Sequence, residues 1–298
     1  MAVISADPAT PLAKPSSARR SELLQSWRRF RANWVAVLGL IFIILLVLIA
    51  IFAETLAPDD PLFSYSGSRG EAPSAEHFFG LDHIGRDLLS RVIFGTRIAL
   101  IVGLVSTGIA VVIGILIGAV AGYFGGWVDT FLSRLIDTLM AFPIIALLVV
   151  LAAVMGPSLT TTVLVIGITG WARFARVVRA DVLSIKAEDF VMAARATGVS
   201  NWRIIMHHIL PNVLGPVIVL ASLGIGSIII LEAALSFLGL GVRPPTPSWG
   251  GILADGRPHL LRYPHISFFP GLMITLTVLA FNFVGDGLRD ALDPRQKT

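Results

Sequence analysis

The sequence contains no cysteine and only three lysines, and charged residues make up just 14% of it. Without cysteine there are no disulfides and no thiolate-held metals. None of Lys14, Lys186 and Lys297 follows a glycine-rich loop, and no Gly-x-x-x-x-Gly-Lys-Ser/Thr run exists. The chain therefore lacks the backbone cradle and lysine that an ATPase uses to hold nucleotide phosphates. So few charges cannot cover the surface of a soluble domain of 298 residues. Instead 55% of the residues are hydrophobic and the mean hydropathy is +0.82, the composition of an all-α polytopic membrane protein. A pI near 9.9 does not call for a nucleic-acid partner, because basic residues of membrane proteins collect on the cytoplasmic side.

Apolar runs long enough to cross a bilayer, at about 20 residues each, fall near 34–54, 98–121, 136–155, 158–174, 214–235 and 266–286. The first begins after a polar lead and is too long for a signal-peptide core, so it reads as a retained anchor. Gly167, Gly170 and Trp171 interrupt the fourth, which spans only by including Arg173. Six spans with the N-terminus inside place 16 of the 23 Lys and Arg residues on the inner side. That bias predicts both termini in the cytoplasm. The resulting order is a lead (1–33), a first span (34–54), an outer loop (55–97), a core (98–286) and a cytoplasmic tail (287–298). The core contains a cytoplasmic loop at 175–211 and an outer loop at 236–265. Residues 1–20, rich in Pro, Ser and Ala, are expected to be disordered; residues 21–33 read as a basic amphipathic segment on the inner membrane surface. Gly114, Gly118 and Gly122 form a small-residue ladder in the second span. Close packing within the chain is favoured for it over a dimer seam. Pro143 and Pro216 are expected to bend their helices.

The cytoplasmic loop carries an amphiphilic stretch, 188–211, inside this otherwise apolar chain. Residues 188–197 hold good helix formers and no Gly or Pro. Gly198 offers the left-handed position that ends a helix, and Ser200 is placed to cap a second one. Pro211 closes that second helix or opens the next. The stretch reads helix, turn, helix, with Ala193, Ala194 and Arg195 on the first helix where another protein's surface can approach.

This stretch resembles the "EAA" loop of ABC importer permeases: Glu-Ala-Ala, three residues, Gly, nine residues, then Ile-x-Leu-Pro. Ala193, Ala194, Gly198, Leu210 and Pro211 match at the right spacing, while Met192 stands for the Glu and His208 for the Ile. Three further blocks are similar to signatures of dipeptide, oligopeptide and nickel importer permeases of the DppC/OppC-like kind. They are Phe79-Gly80-Leu81-Asp82-His83-Ile84-Gly85-Arg86-Asp87, Leu235-Ser236-Phe237-Leu238-Gly239-Leu240-Gly241, and Leu288-Arg289-Asp290-Ala291-Leu292-Asp293-Pro294-Arg295; Leu81 replaces the usual Thr. The resemblance runs from about residue 25 to the end. It implies a type I importer permease fold in a bacterial inner membrane. It also implies a homologous second permease as heterodimer partner, cytoplasmic ATPase subunits that bind ATP and Mg, and an extracytoplasmic substrate-binding protein. The 188–211 loop is then the coupling element that docks in a groove of the ATPase, and Ala194→Asp would place a charge in that face. Peptides rank first as substrate, ahead of nickel or haem.

Other chemistry is sparse. His207 and His208 are adjacent, so they point to different helix faces and do not form a helical metal site; no metal or cofactor is expected in this chain. Within the outer loop, Gly80, Asp82, Gly85, Arg86 and Asp87 suit a compact hydrogen-bonded turn with a local ion pair. Inside the spans, Asp137 is expected to pair with Arg134 three residues away. Glu232 is an intramembrane candidate, either an acceptor for the outer loop or part of the pore, because a carboxylate at that depth is costly. The lack of a mid-membrane acidic chain disfavours the main alternative, an ion-coupled secondary transporter.

Overall fold

The computed structural model describes residues 15–292, with side chains from Leu24 onward. Residues 1–14 of the expected disordered lead and 293–298 of the expected tail lie outside the described residues. Helices dominate, and the described residues contain no β-strand beyond two isolated bridges in the outer loop, Ser64 with Arg86 and Leu81 with Asp87. Helix α1 (Pro15–Ala32) covers the basic segment and reaches back into residues expected to be disordered. Asn33 then caps α2 (Trp34–Ile51) by accepting from the Ala36 backbone N–H at 3.2 Å. A single turn, α3 (Ala53–Leu56), follows.

The next helix is longer than hydropathy alone predicts. α4 runs Leu88–Phe124, starting ten residues before the expected span because Asp87 caps it, accepting from the Ser90 N–H at 2.7 Å. Arg91 therefore stands on a helix rather than in a loop. At 37 residues α4 is roughly 55 Å long, well beyond the ~30 Å hydrocarbon layer.

The expected third span is two helices, α5 (Gly126–Ala141) and α6 (Ile144–Met155), meeting at 88°. Pro143 is the cause. It forces Phe142 into extended backbone at ψ 138°, and no helix continues through it. Helix α5 thus also fills much of the 122–135 segment between the second and third expected spans. Ser158 caps α7 (Leu159–Ile185), which continues eleven residues past the expected end of the fourth span. Two of its charges are answered by α5. Arg176 bonds Asp137 at 2.6 Å, and Arg179 bonds Asp129 through Nε and, at 2.8 Å, through Nη2. The expected local pair of Asp137 with Arg134 is replaced by this cross-helix one. α7 packs directly on α4 here, and α5 lies alongside both.

The glycine ladder explains that packing. A methyl group at Gly114 would lie 2.4 Å from Phe174 Cβ, one at Gly118 2.6 Å from the Ala175 carbonyl oxygen, and one at Gly122 2.8 Å from Val182 Cβ. All three glycines thus bring α4 against α7 of the same chain, as favoured above.

Three short pieces form the 188–211 stretch: α8 (Asp189–Ala196), α9 (Asn201–Ile204) and a π-turn over Ile205–Ile209 that leads without a break into α10 (Leu210–Phe237). The π-turn follows from Pro211. Proline has no N–H to give the His207 carbonyl, so the ladder widens and Leu210 donates to the Ile205 carbonyl instead. Pro211 accordingly opens α10 rather than closing the previous helix. Pro216 lies within the same helix. No helix forms between Phe237 and Trp249, where prolines cluster. Ser248 caps α11 (Trp249–Gly256), and α12 (His265–Leu292) ends the described chain, passing beyond the expected end at 286. Among the described residues, five helices are long and apolar enough to cross a membrane, or six when α5 and α6 are taken as one broken span.

Candidate functional site

At the end of the molecule expected to be cytoplasmic, α8 and α9 seal onto the projecting ends of α4 and α7. Gly198 has φ +78° and makes the turn between them. Ser200 occupies the N-cap position of α9, but its side chain makes no capping bond there. Val191, Ile204, Ile205 and Ile209 bury themselves against Tyr123, Phe174, Val178 and Val182. Tyr123 locks the arrangement twice. Its hydroxyl donates to Asn201 Oδ1 at 2.7 Å, and the Arg195 guanidinium stands 4.7 Å over its ring.

The two alanines part company here. Ala194 is 9% exposed and belongs to this internal cluster, together with partly buried Leu210. Ala193 faces out. The expectation that both alanines share a docking face is therefore corrected: at a spacing of one residue on a helix, ~100° separates them, and only one can face away from the core. What the sequence reading missed is the outer surface itself. Phe190, Met192, Trp202 and Met206 are exposed there, Trp202 by 64%. The signal was available in the apolar residues that break the polar face of each short helix. His207 is exposed and His208 half-buried.

On the opposite end the outer loop is organised by one carboxylate. Asp82 is 0% exposed. Its Oδ1 accepts from the Ile84 and Arg86 backbone N–H groups at 2.9 and 3.0 Å. Its Oδ2 accepts from Arg86 Nε at 2.7 Å and from Arg91 Nη1. Asp255 on α11 takes the remaining reach of both guanidinium groups, at 3.3 Å from Arg86 and 3.1 Å from Arg91. Burial favours the neutral acid of Asp82, but the Arg91 charge, the Arg86 N–H and the Arg86 charge outweigh it and hold the carboxyl below the usual range. The predicted local ion pair is thus present, and it extends to Asp255, a partner that sequence spacing does not reveal. Gly80 and Gly85 both have positive φ, which lets the turn close on Glu71 and Tyr65 backbone.

Asp87 is buried beside this network. Its Oδ1 lies 3.2 Å from His77 Nδ1, which is 3.9 Å from Asp59 Oδ2. Among the described residues, Asp59, His77 and Asp87 are the group whose ligand atoms lie close enough together to hold a metal ion. Two of those carboxylates also have protein donors, Tyr65 on Asp59 and the Ser90 N–H on Asp87. Glu232 is 1% exposed and accepts from Ser236 Oγ at 2.7 Å, where α11 packs against α10.

These features converge with what is known of other proteins. Residues 114–298 match the family described as binding-protein-dependent transport system inner membrane component. The chain belongs to that family of ABC importer permeases. Residues 21–73 also match the N-terminal transmembrane domain of oligopeptide transport permease C. The permease is 45% identical to the dipeptide transport system permease protein DppC of Alkalihalophilus pseudofirmus, over 92% of this chain and 90% of that one. It is 42% identical to the glutathione transport system permease protein GsiD of Pectobacterium atrosepticum, over 94% and 93%. Among solved structures, the inward-facing MetNI methionine ABC transporter superposes with a TM-score of 0.57 at 19% identity, covering 69% of this chain and 97% of that chain. That likeness concerns the fold, the type I importer permease fold. Permeases of this family are not catalytic; they work with partner ATPases and a substrate-binding protein.

Proposed function

We infer that this permease forms half of the translocation path of a bacterial inner-membrane importer for di- and oligopeptides, paired with a homologous permease. The observation that carries the coupling part of this reading is the exposed apolar surface of α8 and α9. Helices α4 and α9–α10 are each too long for the bilayer and project beyond it. A projecting end with Phe190, Met192, Trp202 and Met206 facing outward is the mark of a protein-binding surface. An ATPase groove is the occupant this family supplies. Closure of the ATPase pair on ATP would carry α8, and through its internal packing α4, α7 and α10, as one rigid body. The translocation path then opens outward, and hydrolysis returns it inward. Contacts that differ between the two states carry the energy.

Peptides are favoured by the DppC relative. The GsiD relatives support a second reading, glutathione, which is itself a small peptide. Uptake of labelled dipeptides, oligopeptides and glutathione by cells with the gene intact, deleted and restored separates them. Deletion is expected to abolish dipeptide uptake, and restoration to return it. Loss of glutathione uptake alone would favour the second reading. Unchanged uptake of all three would overturn the peptide assignment.

A further inference from the structure

α7 carries three arginines at intervals of three, and α5 answers only two of them. Arg179 meets Asp129 and Arg176 meets Asp137. Asp129 and Asp137 are eight residues apart, about 12 Å along α5, whereas Arg179 and Arg176 are about 4.5 Å apart along α7, so the two helices cross rather than run rung for rung. Beyond Asp137, α5 carries no further acid; it ends at Ala141 and the chain turns away by 88° at Pro143. Arg173 is exposed there and has no hydrogen-bond or ion-pair partner among the described residues. It stands at the inner end of the expected fourth span, where an unanswered charge is costly and marks function.

The turn leaves a cavity of about 280 Å³ between α5, α6, α7 and α10. Arg173 lines it together with Phe142, Leu148, Gly170, Gly224 and Ser227. Its size is near the small end of ligand pockets and suits a solute of two or three residues. Apart from Thr169, whose hydroxyl donates to the Val165 carbonyl at 2.7 Å, and Ser227, its side chains other than Arg173 are apolar. One cation in an apolar chamber fits a solute with one anionic end.

We propose that Arg173 receives the carboxylate of the transported substrate. A guanidinium binds a carboxylate through two parallel N–H bonds, and the largely apolar lining offers few groups to compete for them. The substrate class is then small solutes with a free carboxylate, which includes peptides with an unmodified C-terminus. This assignment rests on the peptide-importer reading above.

The test uses the whole importer in nanodiscs, free of nucleotide and binding protein, with labelled dialanine and dialanine amide as probes. The acid is expected to bind about tenfold more tightly than the amide. Arg173→Gln is expected to lower the acid's affinity to that of the amide, and Arg173→Lys to keep most of the preference. ATPase co-purification and basal ATP hydrolysis should not change, which separates a substrate contact from a folding defect. Equal binding of acid and amide by the native importer, or a preference that survives Arg173→Gln, overturns the role of Arg173. If proteoliposomes holding the native importer and its binding protein take up peptide acids and amides alike, the peptide reading stands without Arg173. If they take up neither, both fail.

Discussion

Asp82→Ala is expected to destabilise the permease by about 3–5 kcal/mol, the cost of breaking a buried ion pair from one side. Asp82 is fully buried and accepts from two backbone N–H groups and two guanidinium groups. Its removal leaves Arg86 and Arg91 facing each other with only Asp255 between them, and leaves the turn at Gly85 without its fixed acceptor. Arg91 lies in the first turns of α4, and α4 packs on α7 and α10. Damage at this point therefore spreads to the core. The measurement is the thermal midpoint of purified protein in detergent, together with its level in the membrane. Acid should act in the same direction on the native chain. The Asp82 carboxyl is held lower in the folded state than in the unfolded one, so its stabilisation is present above the ordinary carboxylate range. It is lost as pH falls through the lowered folded value. The native midpoint should thus fall in acid below about pH 4, and Asp82→Asn should flatten that part of the profile. An unchanged midpoint in Asp82→Ala would show that Asp255 alone satisfies both arginines.

Ala193→Asp is expected to have the opposite pattern: a normal midpoint with lost coupling. Ala193 faces out of α8. A charge there is harmless to the free chain, because water reaches it. Once a partner groove covers α8, that charge is desolvated without a counter-ion, at a cost of several kcal/mol, which weakens docking by about a hundredfold or more. Co-purification of the ATPase subunits and peptide-stimulated ATP hydrolysis should both fall while membrane insertion holds. Ala194→Asp is the contrast. It puts the charge among Val191, Ile204 and Tyr123, so it should lower the midpoint and report folding rather than docking. Intact coupling in Ala193→Asp would move the docking surface off α8.

Much of this was written in the sequence, and the exceptions share a cause. The spans, the glycine ladder, the Gly198 turn and the Asp82–Arg86 pair depend on local periodicity or short spacing, which one sequence displays. Helix ends did not follow hydropathy, because α4 begins at a capping Asp87 and α7 continues through arginines that α5 neutralises. Hydropathy counts those arginines as costs and has no knowledge of Asp129 and Asp137 on another helix. Asp137 itself is misread for the same reason, since Arg134 is nearer in sequence but Arg176 is nearer in space. Asp255, 173 residues from Asp82, joins the outer network through packing of α11 on α12 and α10. Of Ala193 and Ala194, sequence pattern placed both on the right helix. Only the position of α4 and α7 decides which one turns inward.

The permease has no native cysteine, so Ala193→Cys introduces a single thiol. The most direct measurement is the labelling of that thiol by a membrane-impermeant maleimide in inside-out vesicles, with and without the ATPase subunits. The expected result is rapid labelling in the permease pair alone and strong protection in the assembled importer. Equal labelling in both would contradict docking through α8, and labelling only from the outer face of intact cells would contradict the orientation on which the whole reading stands.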